Sequence, residues 1–564
     1  MSKLSELLGW SCFLIAKICY NNNHIEMKWG ISMVNKPYSA SKEFFRGAFI
    51  LSIAAIMVKV LSAAYRIPYQ NIVGDIGFYI YQQVYPFYGI VLTLSTLGFP
   101  LVISKLIAEG KFAQRDIVAA SFLMLGVIAL VSSTSLFLGA DWLASKMADP
   151  HLAELLKILS LSYLLMPLAA VFRGYFQGNH EMLPTASSQV AEQFVRVLTI
   201  LVFTPVLIHQ GYSLYDAGAG AVFGSITGGL MGLTLLLIFF VRYKKRKRVQ
   251  FNALQFQQFP LIMKVLIFQG LAFCISSLIL VFLQLVDSLH LYALLRQAGI
   301  AEMTAKEWKG IYDRGQPLLQ LGTVVANSLS LALVPLIARY GKNQDEQELL
   351  SKIRLSLRVS LMIGSAATVG LICLIKPVNK MLYTDSLGSV TLAIFSVSIV
   401  LSSLIMTMAA VIQSLGHYIA PIFIVAAGVV GKWFLDMWLI PHYYINGAAL
   451  ATVLSLLGMT IGFSCVLKND VKQSLWIGKD IGIVMLSVGC MAFTLWGFNM
   501  AADWIVPSET RMIATIQALF GVVGGALVFG VIILRTGLFK QDELTLLPFG
   551  NQLERLNKWN RSNE

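Results

Sequence analysis

The sequence predicts an all-α polytopic membrane protein of about fourteen transmembrane helices, with two six-helix lobes around a central cavity plus two C-terminal helices. Three observations carry this. The 564 residues are 57% hydrophobic and only 13% charged, whereas soluble domains are roughly half apolar and about a quarter charged. The apolar residues fall in blocks of about twenty, long enough to cross a hydrocarbon core of about 30 Å. Lys and Arg gather in the short segments between the blocks, where positive charge sets membrane topology.

In chain order, residues 1–45 form a cytoplasmic N-terminal segment. Its apolar run Leu7–Tyr20 is interrupted by Lys17 and followed by Asn21-Asn22-Asn23 rather than a small-residue cleavage site, which argues against a signal peptide. The first lobe, 46–241, holds spans near 46–64, 79–103, 117–140, 152–172, 185–208 and 215–241. A basic cytoplasmic linker, 242–259, follows. Its run Arg242-Tyr243-Lys244-Lys245-Arg246-Lys247-Arg248 either anchors topology or meets anionic headgroups. The second lobe, 260–467, holds spans near 260–288, 316–338, 353–375, 388–412, 418–440 and 444–467. Two further spans near 481–500 and 512–534 fall in 468–535, before a cytoplasmic tail, 536–564.

Short loops make consecutive helices antiparallel neighbours, and an even count places both termini on one side. With that side cytoplasmic, the inner segments carry about 29 basic residues against about 9 outside. The net charge of +14 is therefore read as a topology signal and not as a nucleic-acid footprint. The 6 cysteines are scattered without a CxxC pair, as buried small hydrophobes rather than disulfides or metal ligands.

Ionisable groups at lipid depth cost at least ~2.5–3.5 kcal/mol each on insertion scales. Lys59 lies mid-span, and Arg66 follows seven residues later on nearly the same helix face. No acid on that helix neutralises them. Either a water-filled cavity receives an anion there, or Arg66 snorkels outward while Lys59 finds an acid elsewhere. Glu192 and Arg196 in the fifth span are an i,i+4 pair able to neutralise each other. Asp287 and Asp313-Arg314 are the matching features of the second lobe, Arg314 either binding an anion or pairing with Asp313. Lys432 and Asp436 form another i,i+4 pair.

Glycines 218, 220, 224, 228 and 229 suit close helix packing in the sixth span. Prolines within spans permit bends. No nucleophile elbow, zinc-protease motif, phosphate loop or histidine cluster occurs, so no catalytic residue, metal or cofactor is expected. Without an ATP site, transport would draw on a coupling ion, the membrane potential or substrate flow.

The segment Arg173-Gly174-Tyr175-Phe176-Gln177-Gly178-Asn179-His180-Glu181-Met182-Leu183-Pro184, running on to Val197, resembles the cytoplasmic loop and fifth helix of the mouse-virulence-factor family. That family holds the MurJ lipid II flippases and the stage V sporulation protein B group, within the MATE-like flippase superfamily. Lys59 to Pro68 and Gly74-Asp75-Ile76-Gly77-Phe78-Tyr79 are similar to its Gram-positive branch. The resemblance spans residues 42–540. It implies a bacterial cell membrane protein that exports a polyprenyl-diphosphate-linked saccharide by alternating access, lipid II foremost, in cell-wall, cell-shape or sporulation biology.

On this resemblance Lys59, Arg66 and Arg314 bind the substrate, with Asp287, Asp313, Glu192 and Arg196 as supporting polar groups. Lys59 stands where the better-known branch has Arg, and Arg66 carries one extra residue of spacing. The second helix lacks the family's cation, Ile90 to Phe99 being uncharged. The implied partners are the lipid-linked saccharide, the membrane and the wall-polymerising machinery. The rival readings are a MATE-type cation or drug antiporter, a flippase for another cell-surface polysaccharide intermediate, and a non-transporting scaffold.

Overall fold

The computed structural model describes residues 39–247, 256–324, 346–417, 419–471, 478–505 and 510–536, together with Leu538. Every regular element among the described residues is helical. The contacts separate Met1–Arg46 from Gly47–Glu564, and the second unit contains all the membrane-length segments.

The N-terminal half comprises α1 (Ser39–Ala64), α2 (Arg66–Thr93), α3 (Phe99–Glu109), α4 (Gln114–Leu138), α5 (Ala140–Lys146), α6 (Leu152–Gly178), α7 (Met182–His209) and α8 (Leu214–Lys247). A π-type turn, Leu94–Gly98, joins α2 to α3. The C-terminal half holds α9 (Phe259–Ser277), α10 (Ile279–Gln297), α11 (Glu302–Asp313), α12 (315–324), α13 (Glu346–Cys373), α14 (Ile375–Tyr383), α15 (Ser389–Ser396), α16 (Ser398–Ser414) and α17 (Ile419–Val471). After it come α18 (Gly478–Ile505) and α19 (Arg511–Arg535).

Among the described residues, 12 continuous helical segments are long and apolar enough to cross a bilayer, and most of the span expected at 316–338 lies outside the described residues. Two of them, Phe49–Glu109 and Ile419–Leu467, have 61 and 49 residues. Drawn out straight at 1.5 Å per residue, each would exceed twice the hydrocarbon thickness of about 30 Å. Both are hairpins. In the first, α1 continues through Tyr65 into α2, which breaks at Gly74 with φ 69° and ψ −175°. Glycine alone takes that conformation without strain. The chain reverses there, so the hydroxyls of Tyr65 and Tyr81 meet at 2.7 Å. In the second, α17 turns at Tyr444 (φ 50°, ψ −129°) after Pro441. Ser455 Oγ on the returning arm then donates to Gly428 O at 2.7 Å.

The span expected at 260–288 is instead two helices, α9 and α10, meeting at Leu278 and reaching Gln297. The loop expected after residue 172 is short, because α6 stays helical to Gly178. Most of the span expected at 316–338, and most of both terminal segments, lie outside the described residues.

Small residues draw the helices together, as in other membrane bundles. A Cβ on Gly174 of α6 would sit 2.6 Å from Ile103 of α3, and one on Gly228 of α8 would sit 2.6 Å from the Glu192 carbonyl of α7. The two halves meet where α2 and α3 run antiparallel along α9 and α10. Gln83 Nε2 donates to Ser288 O (3.0 Å), the rings of Tyr79 and Tyr292 lie 5.2 Å apart, and Lys105 Nζ donates to Gln269 (3.1 Å). At the Gly74 end α11 and α14 join this contact. A Cβ on Gly310 would fall 2.1 Å from the Asp75 carbonyl, and Asn71 Nδ2 donates to Leu382 O at 2.9 Å. The helices α18 and α19 lie against the C-terminal half, where Arg358 binds Asp480 and Arg511 donates to the Met381 carbonyl.

Candidate functional site

Seven lysine or arginine side chains are buried among the described residues: Arg66, Arg173, Arg196, Lys306, Lys309, Arg314 and Lys432. A buried charge costs several kcal/mol unless a partner offsets it, so the partners show what each cation is for. Five have carboxylates. Arg173 donates to Glu192, to Ser95 O (3.1 Å) and to Ser188 Oγ (3.3 Å). Lys309 holds Asp313 at 2.6 Å within α11. Lys306 binds Glu302 at 2.7 Å and lies 3.8 Å from Asp149. Lys432 sits 2.7 Å from Asp287 and 3.3 Å from Asp436, the last being the pair that its spacing predicts.

Arg314 is the most heavily paired. Its Nε and Nη2 grip Asp75 at 2.9 and 2.6 Å, while Nη1 and Nη2 grip Asp385 at 2.7 and 2.9 Å. Tyr383 donates to its carbonyl at 3.1 Å. The partner considered from sequence, Asp313, is taken by Lys309 instead. Arg314 thereby ties the Gly74 turn of the N-terminal half to the loop after α14. Asp385, half-buried in that loop, is pushed up by burial. The Arg314 guanidinium and the Leu387 N–H outweigh this and hold it below the ordinary carboxylate range. Nearby, Asp149 accepts from Tyr79 (3.0 Å) and Tyr215 (2.6 Å) and faces Lys306 of α11, a second polar tie between the halves.

Two cations have no carboxylate within ion-pairing distance among the described residues, and both lie in the N-terminal half. The guanidinium of Arg66 lies over the Tyr85 ring at 4.1 Å, and its Nε–H finds no acceptor. It is within electrostatic reach of Asp313, already held by Lys309, and of Tyr383. Arg196 was expected to pair with Glu192 four residues earlier. The structure gives Glu192 to Arg173 of α6, because α6 packs closer to that face of α7 than the next turn of α7 reaches. Arg196 instead donates to the hydroxyls of Tyr65 (3.1 Å) and Tyr81 (2.8 Å) and lies over Tyr88 at 4.0 Å, its Nε–H also unsatisfied. Cation–π contacts contribute about 0.5–2 kcal/mol each, less than two desolvated charges cost. Half-buried Lys59, about two turns before Arg66, makes no ion pair or hydrogen bond among the described residues.

The chain matches the family described as "Polysaccharide biosynthesis protein" over residues 44–341. It belongs to that family. It is 42% identical over 515 residues to the uncharacterized membrane protein YabM of Bacillus subtilis, covering 91% of this chain and 96% of that one. From the same organism, stage V sporulation protein B is 26% identical (91% and 99% covered) and the lipid II flippase MurJ 25% identical (79% and 86% covered). Among solved structures, lipid II flippase MurJ in an inward closed conformation superposes with a TM-score of 0.61 over 87% of this chain and 98% of that one, at 16% identity. An inward-facing MATE multidrug transporter gives 0.59 over 76% and 99%, also at 16%. The fold is thus the MurJ and MATE fold, and this family member is a multi-pass membrane protein whose relatives include a lipid II flippase.

For this polysaccharide-family chain, the site residues named from sequence fall into two groups. Lys59, Arg66 and Arg196 are cations without carboxylates, while Arg314, Asp313, Asp287 and Glu192 are all held in ion pairs. Sequence reading missed Asp75 and Asp385, which reach Arg314 only through the fold. It also missed the tyrosines of α2. Their signal was present as Tyr81, Tyr85 and Tyr88, spaced four and three apart on one helix face.

Proposed function

We propose that this chain is a flippase that exports a polyprenyl-diphosphate-linked saccharide, with the peptidoglycan precursor lipid II as the first candidate. The supporting observation is the pair Lys59 and Arg66, two cations seven residues apart on the first hairpin with no carboxylate within ion-pairing distance among the described residues, Arg66 lying within electrostatic reach of Asp313 and Tyr383 of the C-terminal half. A diphosphate accepts strong charge-assisted hydrogen bonds and would supply the missing counter-charge. The polyprenyl tail can stay in lipid while the headgroup crosses between the halves. Arg314, tied here to Asp75 and Asp385, would be released to the headgroup when the halves part. A coupling ion or the membrane potential would drive the cycle, with both termini in the cytoplasm.

A cationic drug would be repelled by Lys59 and Arg66, so the antiporter reading is disfavoured. A flippase for a different diphosphate-linked surface polysaccharide shares all this chemistry, and the test separates the two. Cells depleted of their lipid II flippase receive the wild-type chain, Lys59→Ala, Arg66→Ala or Arg314→Ala at matched membrane levels. Wild type is expected to restore growth and the alanine variants to fail. Failure of wild type removes lipid II as cargo, and full rescue by Lys59→Ala and Arg66→Ala removes the cationic mechanism.

A further inference from the structure

The seam between α2 and α10 has a register that fixes which residues face each other. A Cβ on Gly89 would fall 3.1 Å from Val281, Gln83 Nε2 donates to Ser288 O at 3.0 Å, and the Tyr79 and Tyr292 rings lie 5.2 Å apart. Gln284 stands three residues after Val281 and four before Ser288, on the face of α10 turned toward α2. On α2, Gln82 shares a stripe with Tyr85 and Gly89, three and seven residues further on. Tyr85 covers Arg66 at 4.1 Å and Gly89 meets α10, so Gln82 is set between Arg66 and α10.

Gln82, Gln83, Gln284 and Ser288 are buried, none more than 5% exposed, yet much of their hydrogen-bonding capacity is unused. Both atoms of the Gln82 amide, Gln83 Oε1, Gln284 Nε2 and Ser288 Oγ have no partner. Pro86 also offers no N–H to the Gln82 carbonyl one turn earlier. Buried polar groups are ordinarily paired. Leucines at the glutamine positions would hold a purely structural seam at least as well.

We propose that Gln82, Gln83, Gln284 and Ser288 form an uncharged subsite that, when the halves part, selects a neutral sugar on the cargo through its hydroxyl and acetamido groups. This rests on the flippase reading for the lipid carrier and adds the sugar chemistry that the seam accepts or refuses.

The unused groups are of mixed kind. Gln284 Nε2 is a donor and Gln83 Oε1 an acceptor, while the Gln82 amide and the Ser288 hydroxyl are both. A carboxylate takes only donors and an ammonium only acceptors, so either would leave part of the set unpaired. A sugar hydroxyl is donor and acceptor at once. A trans acetamido group presents its C=O and N–H on opposite sides, and so can bridge from Gln284 of one half to Gln83 of the other. The charge next in sequence, Asp287 on α10, is taken by Lys432 and Tyr312. Gln82, one turn from the Tyr85 that covers Arg66, places such a sugar beside the cation that would meet a diphosphate.

The test measures binding to the full chain in nanodiscs of zwitterionic lipid. Three carriers of one polyprenyl length are the probes: the bare diphosphate, the diphosphate bearing N-acetylglucosamine, and the diphosphate bearing glucuronic acid. Wild type is expected to bind the acetamido-sugar carrier at least tenfold more tightly than the bare one, with no such gain for the uronate carrier. Gln82→Leu and Gln284→Leu should each cut that gain at least fivefold. Both should bind the bare carrier within twofold of wild type and unfold at no lower temperature. Gln210→Leu, at an exposed position after α7, should behave as wild type. Where a leucine variant does not fold, the shorter amide of Gln82→Asn or Gln284→Asn should cut the gain instead. The subsite is overturned if the uronate carrier gains as much, if folded glutamine variants keep the full gain, or if the gain falls only in variants that are also destabilised. Equal binding of the bare and acetamido-sugar carriers overturns the subsite and keeps the flippase reading. Failure to bind any of the three carriers removes both.

Discussion

Glu192 lies four residues before Arg196 yet bonds to Arg173, and this exchange separates structural from functional charge at the level of single residues. Spacing in a helix states which partners are within reach, not which partner is nearer once another helix packs alongside. The sequence therefore exposed the buried charges but not their pairing, because the partner of Glu192 depends on how α6 and α7 lie against α8. There a Cβ on Gly229 would meet Leu165 of α6 at 3.0 Å, and one on Gly228 would meet the Glu192 carbonyl of α7 at 2.6 Å. The pairing has a measurable consequence. Glu192→Gln leaves Arg173 buried without its carboxylate, which costs about 3–5 kcal/mol. The apparent unfolding temperature of the purified chain should fall by several degrees. Arg196→Gln removes a charge that has no carboxylate, and in phosphate-free buffer the same measurement should show no loss or a gain. Equal destabilisation by both substitutions would mean that Arg196 is a structural arginine like Arg173.

At the scale of elements, the tie between halves depends on where a turn falls. Gly74 reverses the first hairpin and sets Asp75 against Gly310, so that Arg314 at the end of α11 can take it bidentately. The apolar blocks gave the helices readily, but this turn lay inside a continuous run of helical residues, and Asp385 is 71 residues from its partner. Neither could be read from periodicity. If the Arg314 contacts hold the halves together, Asp75→Asn should shift the population toward a parted state. A charged hydrogen bond contributes about 1.5–3 kcal/mol, so the shift should be roughly tenfold or more. Ser288, buried where Gln83 crosses to α10, reports it. With the 6 native cysteines replaced, Ser288→Cys should react with a maleimide about tenfold faster when Asp75→Asn is added. Unchanged reactivity would show that the apolar seam of α2 and α10 holds the halves by itself.

The pH dependence of the same tie has a defined sign. Asp385 titrates below its unfolded value in the folded chain, so its contribution is fully present above that value and fades as the pH falls through the lower, folded one. Between about pH 5 and 8 the Asp385 arm should therefore be constant. The thiolate fraction of the reporter itself rises across that interval, so the quantity to follow is the ratio of Ser288→Cys reactivity with and without Asp75→Asn. A ratio that changes between those pH values would place the titration on another group.

For the whole molecule, the remaining question is which end faces outward. The tie at Asp75, Arg314 and Asp385 sits with the Asp149 loop, the start of α8 and the start of α11, so these turns share one end of the bundle. The opposite end carries Lys111 just after α3, Arg115 at the start of α4, and Arg242, Lys244 and Lys245 at the end of α8. Positive charge is retained on the cytoplasmic face, so the tied end should be external and this conformation should be closed toward the outside. The solved structures of similar fold do not decide this for the present chain, since the charge asymmetry is its own. An impermeant maleimide applied to intact cells should label Ser213→Cys and Gly299→Cys, at turns of the tied end. It should reach Gly110→Cys only after the membrane is permeabilised. The reverse pattern would turn the chain over, make the tied end cytoplasmic, and convert the proposed exporter into a protein whose described conformation opens to the outside. The experiment thus tests, in one measurement, the charge rule, the placement of the termini and the direction of transport.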